Sequence, residues 1–317
     1  MATVPLSRPV IASEFLMESS ISSKRPPWFN DPLWPIFVAI GVAVFVWTLR
    51  HYPRPTPPPP FPRHASEFRS PPALAAAKAA ALAVLAVRPD DMNAHVEMVL
   101  ACFEGGSGDY VKGLEYLERA RDLGALDDRL FYYAAVMYEN QGLLEYAVPE
   151  YEKFLRRHPN DLETRLRLGN LFYRMEELDK SIDAYHLVLA GQPNDPLVSY
   201  NLAMAYRDKK KWAEGLDSLK PFLASGKPLP VGGHKLLGDL YRGNGDAQRA
   251  LSEYDLERAN SGESVDVASG MAQAAESLGQ MDVAIERWKK VLELDPAHRE
   301  ARNRLRKLKQ PVPGRRR

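Results

Sequence analysis

"LRLGNLFYRMEELDKSIDAYHLVLAGQPND" runs from Leu166 to Asp195. Its apolar residues fall at helical spacing in two blocks, which predicts two short amphipathic helices with a turn between them. The same skeleton returns up and down the chain. Gly113, Ala147, Ser181, Gly215, Ala250 and Ala284 each open a second helix with a small residue. They are separated by 34, 34, 34, 35 and 34 residues. Four residues further on stands a large side chain each time: Leu117, Tyr151, Tyr185, Leu219, Tyr254 and Trp288. The first helices repeat a small residue at Ala135, Gly169, Ala203, Gly238 and Ala272, and an aromatic at Tyr138, Phe172, Tyr206 and Tyr241. Turn prolines fall at Pro89, Pro159, Pro193 and Pro296.

Packing explains such a period. Two antiparallel helices on a tight turn bury little alone, and they gain stability by stacking on the next pair. Small residues belong where helix axes cross closely, and large ones fill the holes between pairs. Gly142, Gly245 and Gly279 fall at the turn inside a pair, where a left-handed backbone costs little only for glycine. Leu168-Gly169, Phe172, Ser181, Tyr185 and Pro193 together resemble the tetratricopeptide repeat. That resemblance implies an all-α, right-handed superhelical α-solenoid of helix-turn-helix repeats. It covers six repeats, 92–127, 128–161, 162–195, 196–230, 231–264 and 265–298, with two extra residues in the first. Ala-rich 72–88 resembles a lone second helix, so 72–91 is expected to form a half repeat. Residues 299–310 are expected to close the array, with Ala301, Leu305 and Leu308 inward and Arg302, Arg306 and Lys309 outward.

Departures from the family pattern are visible. The tryptophan near the start of the first helix is absent, and Phe131 stands nearest to it. Pro221 falls inside a predicted helix, where it removes an N–H and crowds the carbonyl of Asp217. With "SGKPLPVGG" following, it marks 196–230 as the expected kink or flexible point. One sub-type of the family grips a terminal carboxylate with basic and Asn side chains. Asn170 and Asn201 match two of those positions, but Leu166, Gly232 and Leu236 occupy the basic ones, so chaperone-tail binding is not expected.

Ahead of the repeats, Leu33–Leu49 is an uncharged apolar run of 17 residues. It reaches the lower end of the length that crosses a bilayer. Trp28, Trp34, Trp47 and Tyr52 flank or end it, as at a headgroup boundary. A cleaved signal would be shorter and followed by a small-x-small site; a buried core helix would show a polar face. The expectation is a single transmembrane helix over 32–50 behind an N-terminal tail, 1–31, without regular structure. A bacterial inner membrane is the expected location. Lys24 and Arg25 precede the run and Arg50, Arg54, Arg63 and Arg69 follow it, which leans toward a cytoplasmic body and leaves the side open. Residues 51–71 hold Pro53, Pro55, Pro57–Pro60 and Pro62. These seven prolines in ten residues predict a polyproline spacer of roughly 30 Å over 53–62, with a PxxP ligand as the alternative.

The 317 residues carry a net charge of +1, unevenly spread. Residues 50–91 net +3 and 299–317 net +8, so the 92–298 body nets −10. An acidic body excludes a nucleic-acid platform, which needs clustered cations. The single cysteine, Cys102, excludes an intrachain disulfide and cysteine-based metal sites. No HExxH, Walker loop or GxGxxG occurs. "FEGGSGDY" (103–110) lacks the following Lys-Ser/Thr and is expected to be an inter-helix loop. No catalytic or metal site, cofactor or small-molecule substrate is expected.

The expected function is a non-catalytic protein-interaction scaffold or assembly factor on a membrane. A regulatory adaptor controlling a membrane-associated enzyme is the alternative, and an enzyme with an unrecognised site the more remote one. In the family that the chain resembles, partners lie in the groove lined by first helices. The corresponding positions here are Tyr132, Asn170, Tyr173, Arg174, Tyr200, Asn201, Met204, Arg207, Lys235, Asp239 and Arg242, a mix suited to a peptide or protein surface. The basic tail, with Arg302, Arg306, Lys309, Arg315, Arg316 and Arg317, is either a solvated cap or a contact for anionic lipid or an acidic partner.

Overall fold

A helix pair needs a turn and a seam, and a start signal strengthens it. The structure, a computed structural model, describes residues 34–51 and 61–308. Two compact units divide at Pro60/Phe61. In the first, α1 spans Trp34–His51. In the second, α2 (Pro71–Val87) precedes six pairs: α3 (Met92–Gly105) with α4 (Tyr110–Asp122), α5 (Arg129–Asn140) with α6 (Leu144–Arg157), α7 (Leu162–Arg174) with α8 (Leu178–Gly191), α9 (Pro196–Asp208) with α10 (Trp212–Ala224), α11 (Gly233–Gly243) with α12 (Ala247–Ser261), and α13 (Val265–Ser277) with α14 (Met281–Leu294). The last helix, α15, spans Arg299–Leu308.

Three first helices start the same way. Asp91, Asp161 and Asp195 accept the backbone N–H three residues on, each satisfying a donor that the first turn leaves orphaned. The turns inside the pairs close with a left-handed residue. Gly142, Gly245 and Gly279 have φ of 74°, 89° and 73°, as expected from the sequence. The same turn position holds Glu176 and Lys210 in the third and fourth repeats, at φ 60° and 58°.

The seam follows from size alternation. Tyr151, Tyr254 and Trp288 are fully buried, and Tyr185 is 1% exposed. A methyl placed on Gly169 would lie 2.8 Å from the Tyr185 ring, and one on Gly238 2.6 Å from Tyr254. The polar tips are satisfied across the pair. Tyr185 Oη donates to Asn170 (2.8 Å), Tyr254 Oη to Asp239 (2.8 Å), Tyr151 Oη to Glu139 (2.7 Å) and Trp288 Nε1 to Glu276 (2.5 Å). Each large ring buried this way contributes about 1.5–3 kcal/mol.

Both ends of the stack carry an extra helix: α2 packs on α3 and α15 on α14. Ala301 and Leu305 are buried, Leu308 is half-buried and Arg302 and Arg306 are exposed, as the sequence predicted. The loop expected over 103–110 is shorter: α3 continues to Gly105 and α4 starts at Tyr110, with Gly106 and a 3-10 turn at Ser107–Asp109 between them. Pro221, where a kink or flexible point is expected, does not end α10, which runs from Trp212 to Ala224 with Pro221 inside it. Only three helical residues follow that proline, so one lost hydrogen bond does not end the helix. Pro149 lies deeper, at the sixth residue of α6, which also runs on past it to Arg157.

Of the linker expected over 51–71, the described residues 61–70 pack on the repeats, while the polyproline run up to Pro60 lies outside the described residues. From Phe61 onward the chain lies against the repeats, and α2 already begins at Pro71. Aromatic and arginine side chains at Phe61, Arg63, Phe68 and Arg69 supply the contacts that a polyproline rod lacks. The 1–31 tail, Pro53–Pro60, Lys309 and Arg315–Arg317 lie outside the described residues. Ile36, Val38, Ile40, Val42, Val44 and Phe45 of α1 are exposed. Among the described residues no helix is long and apolar enough to cross a membrane.

Candidate interaction groove

The first helices of the pairs adjoin one another, α3 with α5, α7 with α9, α9 with α11 and α11 with α13. They form one face of the second unit. Over the first three repeats that face is already occupied by the chain's own residues Phe61–Arg69, extended on both sides of a 3-10 turn at Ala65–Glu67.

Phe61 enters a box of aromatics. Its ring stands edge-on to Tyr132 (centroids 5.3 Å) and Tyr133 (5.5 Å), with Phe154 at 5.5 Å. Such T-shaped pairs gain beyond simple burial. Tyr133 Oη donates to the Pro62 carbonyl at 3.1 Å. The Arg63 guanidinium lies 4.1 Å above the Phe61 ring and 4.7 Å from Tyr132. It also reaches Asp161 at 2.7 Å and Glu163 at 3.3 Å, opposite the ring stack. Glu67 turns the segment by accepting the backbone N–H groups of Arg63 (2.7 Å) and His64 (3.3 Å). Phe68 packs on Phe103, centroids 5.5 Å apart. Arg69 ends the run: its backbone N–H and Nε both meet Glu104 at 2.9 Å, and its guanidinium meets Glu97.

The electrostatics follow. Burial raises the Asp161 and Glu163 carboxyls, but other contacts outweigh it and hold both below their ordinary values. For Asp161 these are hydrogen bonds from Arg63 and Thr164; for Glu163 they are a hydrogen bond from Tyr132 and the charges of Arg167 and Arg63. Burial pushes the Tyr132 and Tyr133 phenols well up.

The eleven groove positions read from the sequence therefore separate. Tyr132 is fully buried under Phe61 and Arg63, with its hydroxyl donated to Glu163 at 2.8 Å; it is not open to a partner, because the linker residues that cover it dock here. Asn170, Tyr173, Arg174, Asn201 and Met204 share a depression of about 210 Å³ with Tyr185. Within it Asn201 Nδ2 donates to Asn170 at 3.1 Å. Tyr173 Oη donates to Asp208 at 2.5 Å, and burial, then that hydrogen bond, pushes its phenol up to about 12. Tyr200 lies on a second, apolar depression of about 350 Å³ with Pro196, Leu197, Phe222, Lys227, Pro228 and Pro230. The remaining four form an ion network around Asp239: Lys235 at 3.4 Å, Arg242 at 3.8 Å and Arg207 at 3.9 Å. In the tail, the exposed Arg302 donates its Nη2 to the Ala297 carbonyl at 2.6 Å, which fastens the start of α15.

Sequence reasoning missed Phe61, Arg63, Phe68 and Arg69. Two phenylalanines and two arginines within nine residues, just past a proline run, were the available signal. Among the described residues no three His, Cys, Asp or Glu side chains gather as metal ligands would.

Stacked helix pairs with small-on-aromatic seams and a first-helix face define a helical-repeat protein of the α-solenoid kind. A family profile described as tetratricopeptide repeat matches residues 104–161, 138–196 and 200–264, and the chain belongs to that family. No curated protein matches the chain in sequence. Among solved structures it is similar to the C-terminal part of a TPR repeat-containing protein from Cytophaga hutchinsonii, at 18% identity and TM-score 0.54, over 74% of this chain and 95% of that one. It is also similar to MamA (41-end) from Desulfovibrio magneticus RS-1, at 18% identity and TM-score 0.50, over 55% of this chain and 98% of that one. A third is a chain of the APC/C hetero-tetramer Cut9-Hcn1, at 14% identity and TM-score 0.50, over 86% of this chain and 53% of that one. At these identities the likeness is one of fold.

Proposed function

We propose that this chain is a protein-interaction scaffold that receives segments of partner proteins on its first-helix face and is tethered to a membrane by the Leu33–Leu49 run. The observation that carries the reading is the docked Phe61–Arg69 segment. A face that seats nine residues of its own chain by aromatic insertion and charge pairing has the chemistry to seat a peptide. The tether rests on the sequence run and on the apolar side chains that α1 leaves exposed.

Two experiments test the two halves. A photoreactive residue replacing Asn201, in membranes of the native host, is expected to crosslink a protein. Crosslinking no stronger than from Leu187, an exposed residue of α8, overturns the groove reading. Alkaline carbonate extraction is expected to leave the full chain with the membrane pellet, and its complete release overturns the tether.

A further inference from the structure

The repeat lets one half of the face be read through the other. Two repeats along, at an offset of 68 residues, Tyr132 becomes Tyr200 and Phe154 becomes Phe222. At an offset of 70, which absorbs the two extra residues of the first repeat, Phe103 becomes Tyr173. The helix caps confirm the register, since Asp91 and Asp161 are 70 apart and both cap a first helix. Two of the three rings around Phe61, and the ring that holds Phe68, therefore recur in the same order in the fourth and third repeats; the third ring, Tyr133, becomes Asn201. The first pair is covered and the second is not. Tyr132 is fully buried, whereas Tyr200 lines the apolar depression with Phe222.

The charges change between the two copies. Glu97 and Glu104, which hold Arg69, become Arg167 and Arg174 at the same offset of 70. Arg167 is engaged by Glu163 at 3.3 Å, and Arg174 meets Glu139 only at 3.6 Å with 48% of its side chain exposed. At an offset of 69, Asp161 and Glu163, which hold Arg63, become Pro230 and Gly232. Lys227 stands at the rim of the Tyr200 depression. The vacant berth therefore keeps one aromatic seat at Tyr173 and a two-ring seat at Tyr200 and Phe222, drops the arginine seat and inverts the sign of the last one.

We infer that the third and fourth repeats form a binding site for a protein segment that presents an aromatic side chain to the Tyr200–Phe222 pocket and, seven residues later, a second aromatic to Tyr173 followed directly by Asp or Glu facing Arg174. The inference rests on the groove reading above and names its ligand. It also accounts for where the chain's own segment lies: Arg69 would meet Arg167 and Arg174 there, and like charges oppose that register.

The test uses the full chain in detergent and two nine-residue peptides of the 61–69 sequence, both carrying Arg63→Ala, one also carrying Arg69→Glu. Calorimetric titration is expected to show binding of the Glu-ended peptide and binding at least about tenfold weaker for the Arg-ended one. Tyr200→Ala is expected to weaken the Glu-ended peptide by about tenfold or more. Leu197→Asp, at an exposed rim position, is expected to do the same without touching the core. Arg174→Glu is expected to reverse the preference between the peptides. Equal affinity for the two peptides, indifference to Leu197→Asp, or no binding of either overturns the inference. If the peptides fail while a residue at Asn201 still crosslinks a partner, the ligand assignment falls and the groove reading stands; if crosslinking fails too, both fall.

Discussion

Arg63 and Asp161 lie 98 residues apart in sequence, and their side chains meet at 2.7 Å with only 15% and 18% of each exposed. The same Asp161 caps α7 by accepting the Thr164 N–H at 2.8 Å. One carboxylate thus both starts a helix and holds the docked segment. Arg63→Ala leaves that pair half made in a mostly dry site, at a cost of about 1–3 kcal/mol. The expected outcome is faster tryptic cleavage at Arg69 in the folded protein, with the repeat body intact. Cleavage at the parent rate would show that the segment docks without Arg63.

Acid should release the same segment. Asp161 and Glu163 are both held below their ordinary values. A carboxyl depressed in the folded state stabilises it above its unfolded value, about 4, and loses that contribution as pH falls through the lower folded value. Docking should therefore be complete at pH 7 and weaken below about pH 4. Fluorescence of a label at Arg63's neighbour His64 would follow the release, and a flat response from pH 7 to 3 would remove these carboxylates from the account.

Glu176 and Lys210 hold the left-handed turn position that glycine fills in three other repeats. Side chains with a Cβ pay about 1 kcal/mol there. Glu176→Gly and Lys210→Gly are expected to raise stability by up to about that amount, read as a higher midpoint in urea. A lower midpoint would mean that side-chain contacts of these residues outweigh the backbone cost.

Gly238 faces the opposite constraint. A methyl there would stand 2.6–2.9 Å from three atoms of the Tyr254 ring, which is fully buried and tied to Asp239 and Arg242. Gly238→Ala should cost about 1–3 kcal/mol through overpacking. Thermal melting of the variant beside the parent checks it, and an unchanged melt would show that the ring can shift.

How much of this was legible beforehand differs by element. The stack was, because small and large residues must alternate at a fixed spacing for helix pairs to nest, and that spacing survives in the letters from Gly113 to Trp288. The turn glycines were too. Glu176 and Lys210 were not, since neither letter signals a left-handed backbone. Pro221 signals a weak point by its letter alone, yet α10 and α6 each run on through a proline. The groove positions all fall on first helices, yet Tyr132 was not seen to be covered. Its cover comes from residues about 70 positions away in a proline-rich stretch, and no local pattern announces a contact of that range.

The docked segment also alters how the molecule should come apart. In a stack where each repeat leans only on its neighbours, unfolding can begin at any boundary and spread one unit at a time. Phe61–Arg69 touches α3, α5, α6 and the start of α7 at once, so it sews the first three repeats into a single cooperative block. The last three have no such thread among the described residues. Amide hydrogen exchange should divide accordingly, with one common opening rate across the N-terminal half and a graded series toward α15.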